Sequence, residues 1–314
     1  MMSGKMYRMR PDDRVLPSFL ELWLRSPDAQ RRIDRMKTGI SDSGLNLTQD
    51  RFVELPVPVP PLDEQCRIVA LLEDHLSRLD AADAYVRSAT QRLANAGRSA
   101  LDRLFGGRDV PLADLVDKIS AGKSYGAAKA PAADNEWGII KVSAMTWGKF
   151  DPAENKAVPS DRADPRFEIR EGDLLVSRAN TDEYVGASVL VGPVRAKLLL
   201  SDKSLRVSPA EGVRPDWLWR ALQAPSARRQ ISALATGTKD SMRNISQASL
   251  MRVQVPRATP QEQAAAVSAY AEIAAAVDRL GTELDSAHRR SAGLRRSLLA
   301  TAFSGQLTAE TATA

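Results

Sequence analysis

An internal repeat constrains this chain before any other feature does: segments 198 residues apart match without a gap. Val57-Pro-Val-Pro-Pro-Leu-Asp-Glu-Gln65 returns as Val255-Pro-Arg-Ala-Thr-Pro-Gln-Glu-Gln263. Leu104-Phe105-Gly106-Gly107 returns as Ala302-Phe303-Ser304-Gly305. Ser3 to Arg8 aligns with Ser201 to Arg206, and Pro17 to Leu24 with Pro215 to Leu222. Thr38 to Gln49 aligns with Thr236 to Gln247, six of twelve positions being identical. The repeat therefore starts at residue 3, runs to about 107 and restarts at 201, while 108–200 occurs once. A period this long sets the architecture before any local propensity is considered.

The best-matched stretch initiates a helix. Its prolines hold the chain extended and forbid a helix before Pro61. Asp63 and Glu64, with Glu262 in the second copy, place negative charge in the first turn, where the helix dipole favours it. Leu72, Leu79, Val86, Leu93 and Ala100 then recur every seven residues, with Val69, Leu76 and Leu104 adjoining. Val277, Leu284 and Leu298 repeat the seam, flanked by Ile273, Leu280 and Leu294. A heptad sustained this long predicts a coiled-coil seam, and two copies in one chain favour the pair packing on each other. Residues 61–104 as one helix would extend roughly 65 Å at about 1.5 Å per residue.

The unique segment reads as strands. Trp137 to Val142, Gly172 to Arg178 and Gly186 to Gly192 are short apolar runs separated by glycines and polar clusters. In each copy a helix starts near Pro17 or Pro215. A second starts after Pro27 or Pro225 and ends at Gly39 or Gly237, read as its C-cap. The expected fold is α+β: a twisted, partly closed sheet with the 215–236 helices beside it, plus two long helices packed on each other as a coiled coil.

Charge and composition narrow the class. At 314 residues two or more domains are expected. Residues 201–257 hold ten Lys/Arg against four Asp/Glu, whereas 108–200 hold thirteen against fourteen. Positive charge gathered in one stretch suits a polyanionic partner, and a solvated basic face is the plainer explanation. The single cysteine, Cys66, excludes an internal disulfide framework and suits the cytoplasm. No apolar run is long enough to span a membrane.

The order of these motifs resembles the specificity subunit of a type I restriction–modification system. The likeness rests on the Pro-Pro-Leu-x-Glu-Gln helix start at Pro60–Gln65, the Ala-Phe-Ser-Gly-x-Leu end at Ala302–Leu307 and Gly-Asp-Leu-Leu-x-Ser-Arg at Gly172–Arg178. It covers essentially the whole chain. It implies target recognition domains, each a twisted, mostly antiparallel sheet with helices, alternating with two conserved helices packed as an antiparallel coiled coil that serves as a spacer. It further implies that methyltransferase (M) subunits and a translocating restriction (R) subunit assemble around the helices and bind double-stranded DNA. On this reading 1–56 is the C-terminal remnant of a first target recognition domain and 57–107 the first conserved helix. Residues 108–256 are a complete second recognition domain, and 257–314 the second conserved helix and tail. The first domain lacks its counterpart of 108–200. A truncated gene product, a mis-called start and one piece of a split or dimerising subunit all fit that departure. Phe19, Leu20 and Trp23 are then expected to lose their cover, which a homodimer or a separately encoded half-domain would restore.

Nothing points to catalysis by the chain itself. His75 and His288 both fall on the long helices, and with one cysteine no zinc set is available. Gly122-Lys123-Ser124 resembles the end of a phosphate loop, but Asp117 stands where that loop needs glycine. No metal site is expected, and S-adenosylmethionine, ATP and magnesium would belong to the partners. For DNA contact, Arg178, Asn180 and Thr181 follow a strand, and arginine pairs with guanine and asparagine with adenine. Lys239, Ser241, Arg243 and Asn244 form a second polar loop. Lys203 and Arg206, with Arg228 and Arg229, are candidates for backbone phosphate. Loop asparagines also serve as plain turn formers. The reading is a non-catalytic DNA-recognition subunit serving one half-site. The alternative is a degenerate coiled-coil adaptor that binds the methyltransferase without reading DNA.

Overall fold

Proline sets where the long helices begin. In the computed structural model, α4 spans Leu62–Phe105 and α8 spans Pro260–Phe303, each of 44 residues. Both follow their proline-rich stretches directly. At α8 the Thr259 backbone N–H donates to the Glu262 carboxylate at 2.8 Å, and the Glu262 N–H returns to the Thr259 hydroxyl at 3.3 Å. This reciprocal pair satisfies N-terminal donors that the helix cannot satisfy itself.

The structure describes residues 6–38, 46–126, 130–146, 148–237 and 242–304. Ahead of α4 come α1 (Pro17–Leu24), α2 (Pro27–Met36) and α3 (Gln49–Val53). After it come β1 (Val110–Pro111), β2 (Val116–Ala121), β3 (Gly138–Ile140), β4 (Asn155–Ala157), β5 (Leu174–Ser177) and β6 (Ala179–Asn180). The chain continues through β7 (Ser188–Leu190), β8 (Leu198–Leu199), β9 (Ser204–Pro209), α5 (Pro215–Gln223) and α6 (Pro225–Leu234). It then forms β10 (Arg243–Asn244), α7 (Gln247–Met251) and β11 (Gln254–Val255) before α8. The fold is α+β, and it divides into two compact units: Met1–Arg92 with Arg279–Ala314, and Leu93–Asp278.

In the first unit the helices run antiparallel. Leu72 and Leu76 share a buried cluster with Leu299 and Ala302. Further along α4, Asp80 and Asp83 meet Arg295 at 2.5 and 3.5 Å. The seam predicted on α4 is present, whereas Leu280 and Leu294 of α8 are 51% and 60% exposed. The inward positions beside them are Gly281, Ser291 and Arg295, which a count of apolar residues passes over. Phe19 and Trp23 are each 1% exposed, contrary to the expectation that they lack cover. Phe19 packs edge-on to Phe303 at 5.4 Å between ring centres, and Trp23 lies against Leu55 and Ala29. The helix ends themselves bury these rings.

In the second unit α4 and α8 are again antiparallel: Gly97 faces Val277, and Phe105 meets Tyr270 edge-on at 5.5 Å. A four-stranded antiparallel sheet, ordered β2-β9-β5-β7, carries α5 on β7, where the Trp219 indole N–H donates to the Ser188 carbonyl at 2.9 Å. A smaller sheet, β4-β3-β8, contains one parallel pair, β3 with β8. All three strands expected in the unique segment form. Leu174, Val176, Leu205 and Val207 on one face of the main sheet join Trp217, Leu218 and Phe105 in the core. Leu175 and Val189 point the other way, into a second cluster with Ile140 and Leu200. Gly186, at φ +71°, lies so close to α6 that any side chain would collide with Ile231. Helix α6 stops at Leu234, before the glycine expected to cap it, because Thr236 turns extended to pair with Asn244. Gly237, at φ +145°, lies so close to the Met242 carbonyl that a side chain would collide with it; Gly39 lies outside the described residues.

Candidate nucleic-acid interface

The two loops singled out for DNA contact meet in the structure. β6 pairs antiparallel with β10, setting Asn180 opposite Arg243 and Ala179 opposite Asn244. The ribbon is tied to its surroundings through Arg178, whose N–H donates to the Lys203 carbonyl at 2.8 Å. The Arg178 carbonyl accepts from Ile245 at 2.9 Å. Residues more than sixty positions apart thus form one short ribbon at the end of β5. No local pattern announces a pairing of two residues with two.

The side chains divide into engaged and available. Arg243 is engaged: its Nη2 donates to the carbonyls of Ser232 and Ala235 at 3.1 and 2.7 Å, at the exposed C-terminus of α6. Its Nε stands 3.3 Å from Asp182. Positive charge there also complements the helix dipole. Arg206 is likewise held, donating to the Glu168 carbonyl and pairing with Asp173 at 2.9 Å. Arg228 donates to the Glu183 carbonyl at 3.1 Å, and burial pushes its guanidinium below the ordinary arginine value. Arg229 stands 3.9 Å from Asp102. Arg243, Arg206 and Arg228 have work inside the fold that the sequence did not disclose, whereas Arg229 is largely exposed and only loosely paired.

Arg178 differs. Among the described residues its guanidinium makes no hydrogen bond or ion pair, and its Nε is shielded from solvent without a partner. Asn180 accepts from the Thr181 N–H through Oδ1 at 2.9 Å, while its shielded Nδ2 has no acceptor. Shielded donors without acceptors are uncommon in native proteins, yet Arg206 Nε, Arg228 Nη1 and Arg243 Nε share the feature. What sets Arg178 apart is a guanidinium with no hydrogen bond or ion pair at all among the described residues. Thr181, Lys203 and Asn244 are exposed, and Lys239 and Ser241 lie outside the described residues. Both histidines are exposed, and among the described residues no cluster of ligating side chains could hold a metal ion. No helix among them is long and apolar enough to cross a membrane.

Comparison with known proteins bears on this arrangement. No family model matches the chain. The Escherichia coli EcoKI type I restriction enzyme specificity subunit is 24% identical over 96% of the chain and 68% of its own length. The EcoEI specificity subunit, also from Escherichia coli, is 26% identical over 60% of the chain. That match spans about a third of the EcoEI subunit, 32%. Among solved structures, the HsdS subunit from Thermoanaerobacter tengcongensis superposes over 94% of this chain and 71% of its own, with TM-score 0.55 and 20% identity. A chain from a structure of type I R-M complex assembly and conformational transition gives TM-score 0.74 at 20% identity, covering 92% of this chain and 71% of its own. Over most of its length the chain is thus similar to a type I restriction specificity subunit, and it shares the fold of solved HsdS structures.

Proposed function

We propose that the chain is a non-catalytic DNA-recognition subunit that reads one half-site through the β6–β10 ribbon and brings partner methyltransferase and restriction subunits to it. The observation that carries this reading is Arg178. It is the one ribbon arginine left unengaged among the described residues, and it lies beside an asparagine whose donor also lacks an acceptor. Arginine donates to both O6 and N7 of guanine, and asparagine donates to N7 of adenine while accepting from its N6 amine, in the major groove. The test is selection of bound duplexes from a randomised pool by the chain complexed with type I methyltransferase subunits. A defined motif should be enriched, and Arg178→Ala should relax it at one position. Capture of the methyltransferase with no enriched motif would instead select the adaptor.

The first repeat supports a second part of the reading: it forms the seat of another half-domain equivalent to 108–200. A groove of about 280 Å³ is lined by Tyr7, Met9, Leu20, Leu24 and Phe52. At the repeat offset these correspond to Leu205, Val207, Leu218, Leu222 and Leu250, each no more than 1% exposed in the core of the second unit. Tyr7 and Met9 are 48% and 45% exposed. An apolar surface whose counterpart is wholly covered marks the place where a sheet would lie.

A further inference from the structure

We propose that a lysine-lined groove beside the ribbon holds the phosphate backbone of the duplex whose bases Arg178 contacts, an inference that rests on the half-site reading above. The groove, about 400 Å³, is lined by Lys141, Lys156 and Lys203 together with Ser124, Ser143 and Ser201, the Ser201 hydroxyl being paired with that of Ser204. It adjoins the ribbon directly, because the carbonyl that accepts the Arg178 N–H is that of Lys203. β3 fixes the opposite wall: Lys156 on β4 pairs with Ile139, and Lys141 follows Ile140. Lys123 stands at the rim, its ammonium 5.6 Å from the Tyr125 ring centre.

Acidic groups also face this space. Asp202 lines it, and Glu154 holds Lys141 at 3.2 Å and accepts from the Ser143 hydroxyl. Lys141 is therefore partly neutralised, whereas Lys156 and Lys203 are exposed and have no ion-pair partner among the described residues. Exposed ammonium groups gain little from one small anion in water. They gain from a polyanion, which releases its condensed counterions when neutralised. Lysine with serine hydroxyls is a mixture that positions a backbone without reading sequence.

The test is the Lys156→Ala/Lys203→Ala double variant, in complex with the methyltransferase, against a random-sequence duplex pool at several salt concentrations. Two lost phosphate contacts should reduce the slope of log K against log salt by about 0.9 each. Affinity should fall alike for all sequences, and the enriched motif should not change. Unchanged affinity and slope would overturn the proposal, and so would an altered motif at unchanged slope, which would make the groove a base reader. If the wild-type complex enriches no motif yet the slope still falls in the variant, the groove stands and the half-site reading fails.

Discussion

Gln263 repeats, 198 residues on, each backbone hydrogen bond made by Gln65. The Gln65 Nε2 donates to the carbonyls of Arg14 and Pro60, both at 2.8 Å, and its Oε1 accepts from the Leu16 N–H at 2.8 Å. Gln263 donates to Gly212 at 3.3 Å and Ala258 at 2.9 Å, and accepts from Arg214 at 2.8 Å. The offset holds for every partner. Each amide is buried and joins the start of a long helix to the chain entering the short helix that packs against it. A carboxylate could not donate to the two carbonyls, and alanine leaves three backbone groups without a partner.

Gln65→Ala and Gln263→Ala should therefore each destabilise the protein by about 2–4 kcal/mol, the range for stranding several buried polar groups. Gln→Glu at either site should be at least as damaging at neutral pH, although it changes only one group. Urea unfolding monitored at the tryptophans measures both. A shift within experimental scatter would show that water replaces the clamp.

That clamp also shows what was legible. The glutamines stood out as marks of the repeat, and the helix starts followed from proline and acidic first turns. Their purpose did not, because Leu16 and Arg214 lie 49 residues from their partners and no local pattern links them. The same limit applies at the candidate site. In sequence the loop carrying Arg243 is slightly the better reader than that of Arg178, and only the carbonyls of Ser232 and Ala235 reverse the order. On α8 the apolar count favoured Leu280 and Leu294. The inward face is set instead by the 3–4 alternation, which carries small and polar residues there.

Arg243 is expected to position the ribbon. Arg243→Lys keeps the charge near Asp182 and loses the planar fork that reaches two carbonyls together. It should retain part of the stability that Arg243→Ala loses, and both should blur the selected motif across the ribbon. Arg178→Ala should cost roughly 1–3 kcal/mol on the preferred sequence and act at one base position. Motif selection beside thermal unfolding distinguishes them. A single-position change in a fully stable Arg243→Ala would make Arg243 a reader.

Asp83 makes the paired helices acid-sensitive. The Ser291 hydroxyl beside it, with Arg295 and His288, holds its carboxyl below the ordinary aspartate value despite partial desolvation. A depressed folded-state value contributes stability that is present above the unfolded value, near 3.9, and is lost as pH falls through the folded one. Unfolding midpoints should therefore drop below about pH 4, and Asp83→Asn should flatten that acid limb while lowering stability at neutral pH. Parallel pH profiles for the two proteins would remove Asp83 from the account. A polar residue at a seam position also specifies register, so Asp83→Leu should loosen pairing specificity more than stability.

The groove in the first repeat yields the prediction with the widest consequence. Leu205 and Val207, the counterparts of Tyr7 and Met9, lie in β9, which pairs with β2 on one side and β5 on the other. A half-domain resembling 108–200, fused ahead of Ser3, should supply equivalent strands and cover Tyr7, Met9 and Phe52. Full burial of each large apolar side chain is worth roughly 1.5–3 kcal/mol, and Tyr7 and Met9 are only partly covered now, so the fusion should gain stability beyond the sum of its parts. Methylation directed by the partner subunits should then change from one short half-site to a bipartite target. Tyr7→Glu or Met9→Glu in the fusion should undo both effects, because each places a carboxylate under the added sheet. In the chain as it stands Met9→Glu should be nearly neutral, since that side chain is half exposed, while Tyr7→Glu also loses the hydroxyl's bond to the Leu47 carbonyl and the stacking on Phe52. If the unfused chain already directs methylation to two different half-sites, or if the fusion is stable and still reads one, the groove is not a seat for a second recognition domain.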